Sequence, residues 1–120
     1  MMQNPSPAII YKICPEALWR AAERVDVFRG APVDLADGFI HFSTADQVAE
    51  TAAKHFAGHQ DLLLLYVDTA RLGDALKWEP SRGGALFPHL YGELPISAVT
   101  QIEPLPLTPH GMHHFPKLTR

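Results

Sequence analysis

Residues 62–67, Leu62-Leu63-Leu64-Leu65-Tyr66-Val67, form the longest strongly apolar run in this chain of 120 residues. Six apolar residues are too few for most helices, and the polar pair Asp68-Thr69 ends the run. The stretch therefore predicts a strand buried in the centre of a sheet. It is also far shorter than the roughly 20 residues that a helix needs to cross a bilayer, so we expect no transmembrane segment.

Two pairs of a strand and a helix are expected before this central strand. Residues 8–14 are rich in β-branched side chains and precede a proline, which predicts a strand. Residues 15–25 begin with proline and an acid and place their apolar side chains on one stripe, as in an amphipathic helix. A polar loop containing Gly30 and Pro32 is expected to follow this helix and to lead to Asp37-Gly38. Residues 39–43 are typical of a second buried strand, and Thr44 with Gln47 has the spacing of a capping box at the start of a second helix.

Shorter strands are predicted after the central one, at residues 77–79, 87–91 and 96–103. The order strand-helix-strand-helix followed by several strands predicts an α+β domain, with two main helices packed beside a mostly antiparallel, split sheet. Residues 1–103 are expected to form this single domain. Residues 104–120, rich in proline and histidine, are expected to form a C-terminal tail that lies extended on its surface.

Composition excludes several classes of protein. With 47% hydrophobic and 19% charged residues and a net charge of −3, the chain is expected to be globular. Ten Lys and Arg residues are scattered among thirteen acids, so no surface for genomic DNA is expected. The single cysteine, Cys14, rules out a disulfide scaffold. The N-terminus lacks the basic and apolar segments of a secretory signal, which predicts a cytoplasmic protein.

Two of the predicted strands carry a histidine between aromatic residues, His41 in residues 39–43 and His89 in residues 87–91. Because side chains alternate along a strand, each histidine shares a face with the residues two positions away. These neighbours are Phe39, Ser43, Phe87 and Tyr91. Each histidine has two interpretations. It could be a core residue with both ring nitrogens hydrogen-bonded within the protein, or it could line a cleft for a planar, polar ligand.

A carboxylate and a glycine-rich loop follow the strand at residues 77–79. Glu79 precedes the loop Pro80-Ser81-Arg82-Gly83-Gly84. In this loop Arg82 could hold a phosphate, and the two glycines would let backbone amides approach it. The same residues are also typical of an ordinary turn between strands. Glu79, His41 and His89 also have the ligand types of a metal site, so a metal-dependent hydrolase is a further alternative. Motifs of serine hydrolases, zincins and P-loop enzymes do not occur.

Several motifs, taken in their order along the chain, resemble the bacterial proteins grouped as domain of unknown function 952. The matching stretches span about residues 8–103 and are Ile10-Tyr11-Lys12-Ile13, Gly38-Phe39-Ile40-His41-Phe42-Ser43, Val67-Asp68, Trp78-Glu79 and Phe87-Pro88-His89-Leu90-Tyr91-Gly92. This resemblance implies a fold similar to that of the ADP-ribosyltransferase superfamily. It does not imply an established activity.

A more distant resemblance is to the RNA 2′-phosphotransferases of the same superfamily, which use NAD to remove a splice-junction phosphate. The stretches that carry it are His41-Phe42-Ser43, Val67-Asp68, residues 78–81 and residues 89–95. The chain also departs from that group. In that group an Arg or His on the first strand helps to hold NAD, whereas this chain has only Tyr11 and Lys12 near that position. Related transferases also have a carboxylate in the site, for which Glu79 and Glu93 are candidates here by residue type alone.

The resemblance implies a cleft for NAD, ADP-ribose or a related nucleotide. ADP-ribosyl transfer breaks the bond between nicotinamide and ribose through an oxocarbenium-like state, which a nearby carboxylate stabilises. Glu79 and His41 are the expected catalytic residues, with Arg82 at the phosphates and Tyr91 against a flat ring. The residues assigned to nucleotide binding are His41, Ser43, Arg82, His89 and Tyr91. A non-catalytic binding or interaction module on the same fold is the alternative.

Overall fold

In the computed structural model the described part of the chain is residues 7–119, without the side chain of Arg82. The strands of this part are β1 (Ile9–Pro15), β2 (Val27–Phe28), β3 (Ile40–His41), β4 (Leu62–Asp68), β5 (Leu76–Pro80), β6 (Leu86–Leu90), β7 (Leu94–Pro95) and β8 (Val99–Pro104). Its α-helices are α1 (Glu16–Val25), α2 (Pro32–Asp37) and α3 (Val48–His55). Among the helices described, none is long and apolar enough to cross a membrane.

The strands form separate antiparallel sheets. In the described range, β4 lies between β1 and β8, β6 lies between β3 and β5, and β2 pairs with β7. Every one of these pairings is antiparallel. The prediction of an α+β fold with antiparallel sheets is therefore confirmed.

Strand β4 is buried on both faces, as the apolar run predicted. Its alternate residues Leu63, Leu65 and Val67 belong to one hydrophobic core together with Trp19 and Ala22 of α1. The residues between them, Leu62, Leu64 and Tyr66, belong to a second core together with Val48 and Ala52 of α3. Because each face is covered by a different helix, both sets of alternating side chains are withdrawn from water.

The segment after β3 connects two of the sheets. Residues 40–41 pair with residues 89–90 of β6. Two residues later, the backbones of Ser43 and Tyr11 exchange hydrogen bonds of 2.8 and 2.9 Å. The chain therefore passes from pairing with β6 to pairing with β1, and this crossing holds the β3 histidine at the junction of the sheets.

The two main helices that the sequence predicted are α1 and α3, and the described range also contains a third, shorter α-helix, α2, that was not predicted. The sequence around Pro32 predicted a polar loop. Helix α2 has six residues and leaves Val33 and Leu35 exposed, so no amphipathic stripe signals it. Instead the helix is stabilised by Asp34, whose Oδ2 accepts a hydrogen bond of 2.7 Å from the backbone N–H of Ala31.

The residues after β8 pack onto the second core. Phe115 and Leu118 contact this core from the tail. The hydroxyl of Tyr11 is hydrogen-bonded to the carbonyl oxygen of Thr119 and accepts a second bond, of 2.8 Å, from its N–H. The end of the described chain is therefore tied to β1, on the face opposite α1.

Removing the Tyr11 hydroxyl should loosen the C-terminal residues. We expect Tyr11→Phe to lower the free energy of unfolding by about 1 kcal/mol, the usual net contribution of a hydrogen bond, and to speed amide exchange at Thr119. Urea unfolding and hydrogen exchange followed by NMR measure both effects. Tyr66→Phe is the matched control, because the Tyr66 ring packs edge-on against Tyr11 and its hydroxyl makes no hydrogen bond among the described residues. Unchanged exchange at Thr119 in Tyr11→Phe would contradict the prediction.

Candidate functional site

The two histidines that the sequence singled out lie directly opposite each other. His41 of β3 and His89 of β6 are register partners, and their ring centroids are 5.5 Å apart. Phe39 packs against both rings, with centroid distances of 4.6 Å to His41 and 4.2 Å to His89. The alternation along β3 is also as expected, because Ile40 and Phe42 point into the first core.

A cleft of about 380 Å³ opens over these histidines. The polar side chains in its wall are those of His41, Ser43, Thr51, Lys54, His55, Ser81 and His89. A second cavity of about 520 Å³ shares five of these residues and extends toward Tyr11, Lys12 and Phe56. The two cavities therefore form one continuous cleft, with imidazole, hydroxyl and ammonium groups in its wall.

A buried carboxylate, that of Asp34, holds His41 in position. Asp34 is only 1% exposed, and its Oδ1 lies 2.7 Å from Nδ1 of His41. The backbone N–H of His41 donates to the same oxygen at 3.1 Å. The ammonium group of Lys12, also buried, lies 2.9 Å from Oδ2 and 3.1 Å from Oδ1. Helix α2, strand β1 and strand β3 are thus joined at one side chain.

These contacts keep Asp34 ionised. Burial raises the pKa of its carboxyl group, but the hydrogen bond from His41, the charge and hydrogen bond of Lys12 and the N–H of Ala31 outweigh burial and lower the pKa from 3.8 to about 2. An ionised carboxylate can only accept hydrogen bonds. Nδ1 of His41 therefore carries a hydrogen and donates it to Asp34.

The other ring nitrogen of His41 also faces a carboxylate. Its Nε2 lies 2.9 Å from Oδ2 of Asp37, the last residue of α2. The side chain of His41 is nevertheless 34% exposed and forms part of the cleft wall. Both ring nitrogens of His41 lie within hydrogen-bonding distance of a carboxylate, as in a core histidine, but the side chain also lines the cleft. A ligand would reach Nε2 only by replacing Asp37.

His89 has a different arrangement. Its Nδ1 lies 2.7 Å from Oε1 of Glu79, and the hydroxyl of Tyr91 donates to the same oxygen at 2.8 Å. The hydrogen bonds from His89 and then from Tyr91 lower the pKa of Glu79, and the bond to Glu79 raises the pKa of Tyr91. Glu79 is therefore the acceptor. Among the residues that the structure describes, no hydrogen bond is made to Nε2 of His89.

The other predicted site residues are partly brought together. Ser43 lines the cleft, and its Oγ lies 3.0 Å from Oγ1 of Thr51. Tyr91 is 45% exposed and lies beside Phe39, at a centroid distance of 5.2 Å, but it is not in the cleft wall. Glu93, the other candidate carboxylate, bonds Arg29 on the surface at 2.7 Å. The side chain of Arg82 lies outside the described residues.

Sequence reasoning missed several residues of the site. Asp34 and Asp37 lie in the helix that was predicted as a loop, and Lys12 was considered only for its place on the first strand. Lys54 and His55 are in the last turn of α3, whose pattern predicts only a packing face. Asp34 and Lys12 are 22 positions apart, so no local motif relates them.

The set His41, His89 and Glu79 does not form a metal site. Within residues 7–119, no three His, Cys, Asp or Glu side chains are grouped so that they could hold an ion. Nδ1 of each histidine is instead directed at a carboxylate of its own, that of Asp34 or that of Glu79. The metal-dependent hydrolase therefore loses the ligand set on which it was based.

Comparison with known proteins agrees with the fold and the motifs. The family described as "Protein of unknown function (DUF952)" matches residues 13–102, three quarters of the chain. The chain belongs to this family, as the motifs suggested.

Solved structures with the same fold come from Caulobacter crescentus. The crystal structure of protein CC0527 is 52% identical in sequence, covers 88% of this chain and 93% of its own, and superposes with a TM-score of 0.86. The solution NMR structure of CC0527, also 52% identical, covers 88% of this chain and 90% of its own with a TM-score of 0.79. No curated protein matches the chain.

Replacing Asp34 should strongly destabilise the protein. In Asp34→Asn the Lys12 ammonium would remain buried without a counter-charge, and breaking a buried ion pair in this way typically costs about 3–5 kcal/mol. Asp37→Asn is the matched control, because Asp37 contacts the same histidine from an exposed position and should cost less than about 1 kcal/mol. Urea unfolding of the two variants measures the difference. Similar losses of stability would show that burial of the Lys12–Asp34 pair is unimportant.

The lowered pKa of Asp34 predicts a specific loss of stability in acid. A carboxyl group whose pKa is lower in the folded state stabilises the protein above its unfolded pKa of 3.8, and this contribution disappears as the pH falls toward about 2. The contribution of this buried group is about 2 kcal/mol. Unfolding measured between pH 5 and pH 2 should therefore bring wild type and Asp34→Asn closer together as the pH falls. A constant difference over that range would contradict the assignment.

Proposed function

We propose that the cleft binds NAD, ADP-ribose or a related nucleotide, and that the chain has the fold type of the ADP-ribosyltransferases. The observation that supports this most is the pairing of His41 and His89 at 5.5 Å in the wall of a cleft that also carries hydroxyl and ammonium groups. A ribose with attached phosphates presents hydroxyls and negative charge, so these donors are complementary to it.

The cleft also has a suitable size and donor set. Small-molecule sites commonly enclose roughly 300–1,000 Å³ and combine apolar walls with a few polar groups. In this cleft the hydroxyls of Ser43 and Thr51 are suited to ribose, and the ammonium group of Lys54 is suited to a phosphate. Phe87 contributes an apolar ring to the same wall.

The proposal also assigns roles to Arg82, Tyr91 and Glu79. Arg82 follows Ser81, a cleft residue, and would add a second positive charge for the diphosphate. Tyr91 would stack on a flat ring at the edge of the cleft, next to Phe39. Glu79 lies behind His89, so its negative charge would act on the developing positive charge at ribose through that imidazole.

A binding module without catalysis is supported by a separate observation. Both ring nitrogens of His41 are matched by carboxylates, which leaves the residue expected to be catalytic without an open nitrogen. The two functions differ in one measurement. A transferase would release nicotinamide from NAD, whereas a binding module would bind the nucleotide and leave it intact.

Calorimetric titration with ADP-ribose and with NAD tests the proposal. We expect saturable binding that weakens about tenfold in Lys54→Ala, because a charge-assisted hydrogen bond contributes about 1.5–3 kcal/mol. Ser43→Ala should weaken it by a smaller factor of about five. Arg24→Ala is the matched control, since Arg24 is also a cation in the last turn of a helix but lies on α1.

Two results would overturn this proposal. One is the absence of heat with either nucleotide while the protein remains folded by circular dichroism. The other is binding that is weakened equally by Lys54→Ala and Arg24→Ala, which would show general charge attraction rather than a site.

A further inference from the structure

Building on the proposed function, we propose that His89 is the general base of the cleft and that Glu79 and Tyr91 position it. Nε2 of His89 would take the proton of a hydroxyl acceptor that attacks the ribose carbon bonded to nicotinamide. This assignment differs from the sequence-based roles, in which His89 binds the nucleotide and Glu79 faces the reacting carbon.

The bonds around Glu79 fix which nitrogen of His89 can act as a base. Oε1 of Glu79 lies 2.7 Å from Nδ1 of His89 and 2.8 Å from the hydroxyl oxygen of Tyr91. Since the carboxylate only accepts, the hydrogen of the neutral ring is on Nδ1, and the lone pair is on Nε2. A carboxylate that orients an imidazole in this way is a recurring feature of histidine bases.

The ring itself is held rigidly. Phe39 stacks on His89 with an interplanar angle of 27°, and the side chain of His89 is only 7% exposed. His89 nevertheless forms part of the cleft wall. Its Nε2 makes no hydrogen bond to any described residue, so a ligand hydroxyl would not have to displace a protein group.

His41 has no ring nitrogen available to act as a base. Asp34 and Asp37 contact its two ring nitrogens at 2.7 and 2.9 Å. Its contribution to the cleft is therefore a fixed polar surface. Of these two histidines, only His89 has a ring nitrogen that no described residue bonds, so only His89 offers a lone pair to the cleft.

The proposed step is balanced without a further reagent. The oxygen of the acceptor forms a bond to the ribose carbon while its proton passes to Nε2 of His89. The bond between that carbon and the nicotinamide nitrogen breaks, and its electron pair leaves with nicotinamide, which departs as a neutral molecule. The proton on His89 then passes to solvent.

This chemistry also restricts the acceptor. Water and alcohols hold their proton at neutral pH and need a base, whereas a phosphate or carboxylate acceptor is already ionised. The arrangement of His89 therefore points to a hydroxyl acceptor, either water or an alcohol.

Nitrogen-15 NMR of the histidine rings tests the assignment without any ligand. We expect His89 to carry its hydrogen on Nδ1 at neutral pH. Glu79→Ala should shift the hydrogen toward Nε2, while Glu79→Gln should preserve the wild-type form, because the glutamine carbonyl oxygen can also accept. Tyr91→Phe removes the second donor to Oε1 of Glu79 but keeps the carboxylate, so the hydrogen should stay on Nδ1. A ring with its hydrogen on Nε2, or with both nitrogens protonated, would overturn the proposal.

Release of nicotinamide from NAD, in water and with added methanol, tests the catalytic step. His89→Gln should lower kcat by about 10²–10⁴-fold, the usual contribution of a general base. A residue that only bound the nucleotide would instead weaken the affinity for ADP-ribose and leave kcat at saturating NAD nearly unchanged. A kcat within twofold of wild type, or no release by the wild-type protein, would overturn the assignment of His89.

The failures of the two proposals can be told apart. If neither nucleotide binds, the proposed function fails, whatever form the His89 ring has. If ADP-ribose binds and weakens as expected in Lys54→Ala, but the ring form or the effect of His89→Gln is not as described, only the general base is wrong.

Discussion

The buried carboxylate of Asp34 is the constraint on which the site depends. It binds the ammonium group of Lys12 on β1, the backbone N–H of Ala31 just before α2, and both the backbone N–H and the imidazole of His41 on β3. A side chain added at Gly30 would place its Cβ 2.8 Å from Cβ of Asp34, and Gly30 has a φ of +126° that other residues rarely adopt. The glycine therefore allows the chain to approach the carboxylate closely enough for α2 to form around it.

His41 and His89 both bond a carboxylate through Nδ1, but they differ in whether Nε2 is available to a ligand. Each donates from Nδ1 to a carboxylate, but Asp34 is buried within the fold and Glu79 lies at the protein surface, 38% exposed. Asp37 then occupies the second nitrogen of His41, whereas no described residue bonds the second nitrogen of His89. His41 is thereby a structural part of the cleft wall, and His89 is the ring that remains open to a ligand.

The comparison with CC0527 of Caulobacter crescentus concerns the fold. At 52% identity and a TM-score of 0.86, the two chains share their architecture over most of their length. A shared fold does not define a reaction, because function depends on the groups in a particular site. The nucleotide proposal therefore rests on the polar groups of the cleft, and the general-base proposal rests on the bonds of Glu79.

The sequence alone predicted the parts of the molecule that depend on local patterns. The apolar run at residues 62–67 determined a strand covered on both faces, and alternation along β3 and β6 put His41 and His89 on the same side as their aromatic neighbours. Motifs spread along the chain indicated the family. Each of these features follows from periodicity or order, which are readable without a structure.

The tertiary structure decided which distant groups meet. Lys12 and Asp34 are 22 positions apart, and α2 is held by the bonds of that carboxylate rather than by an apolar stripe, so its sequence resembles a loop. The direction of each ring nitrogen was equally inaccessible to sequence reasoning. It depends on which carboxylates the packed strands and helices bring within hydrogen-bonding distance, and this is set only when the chain is folded.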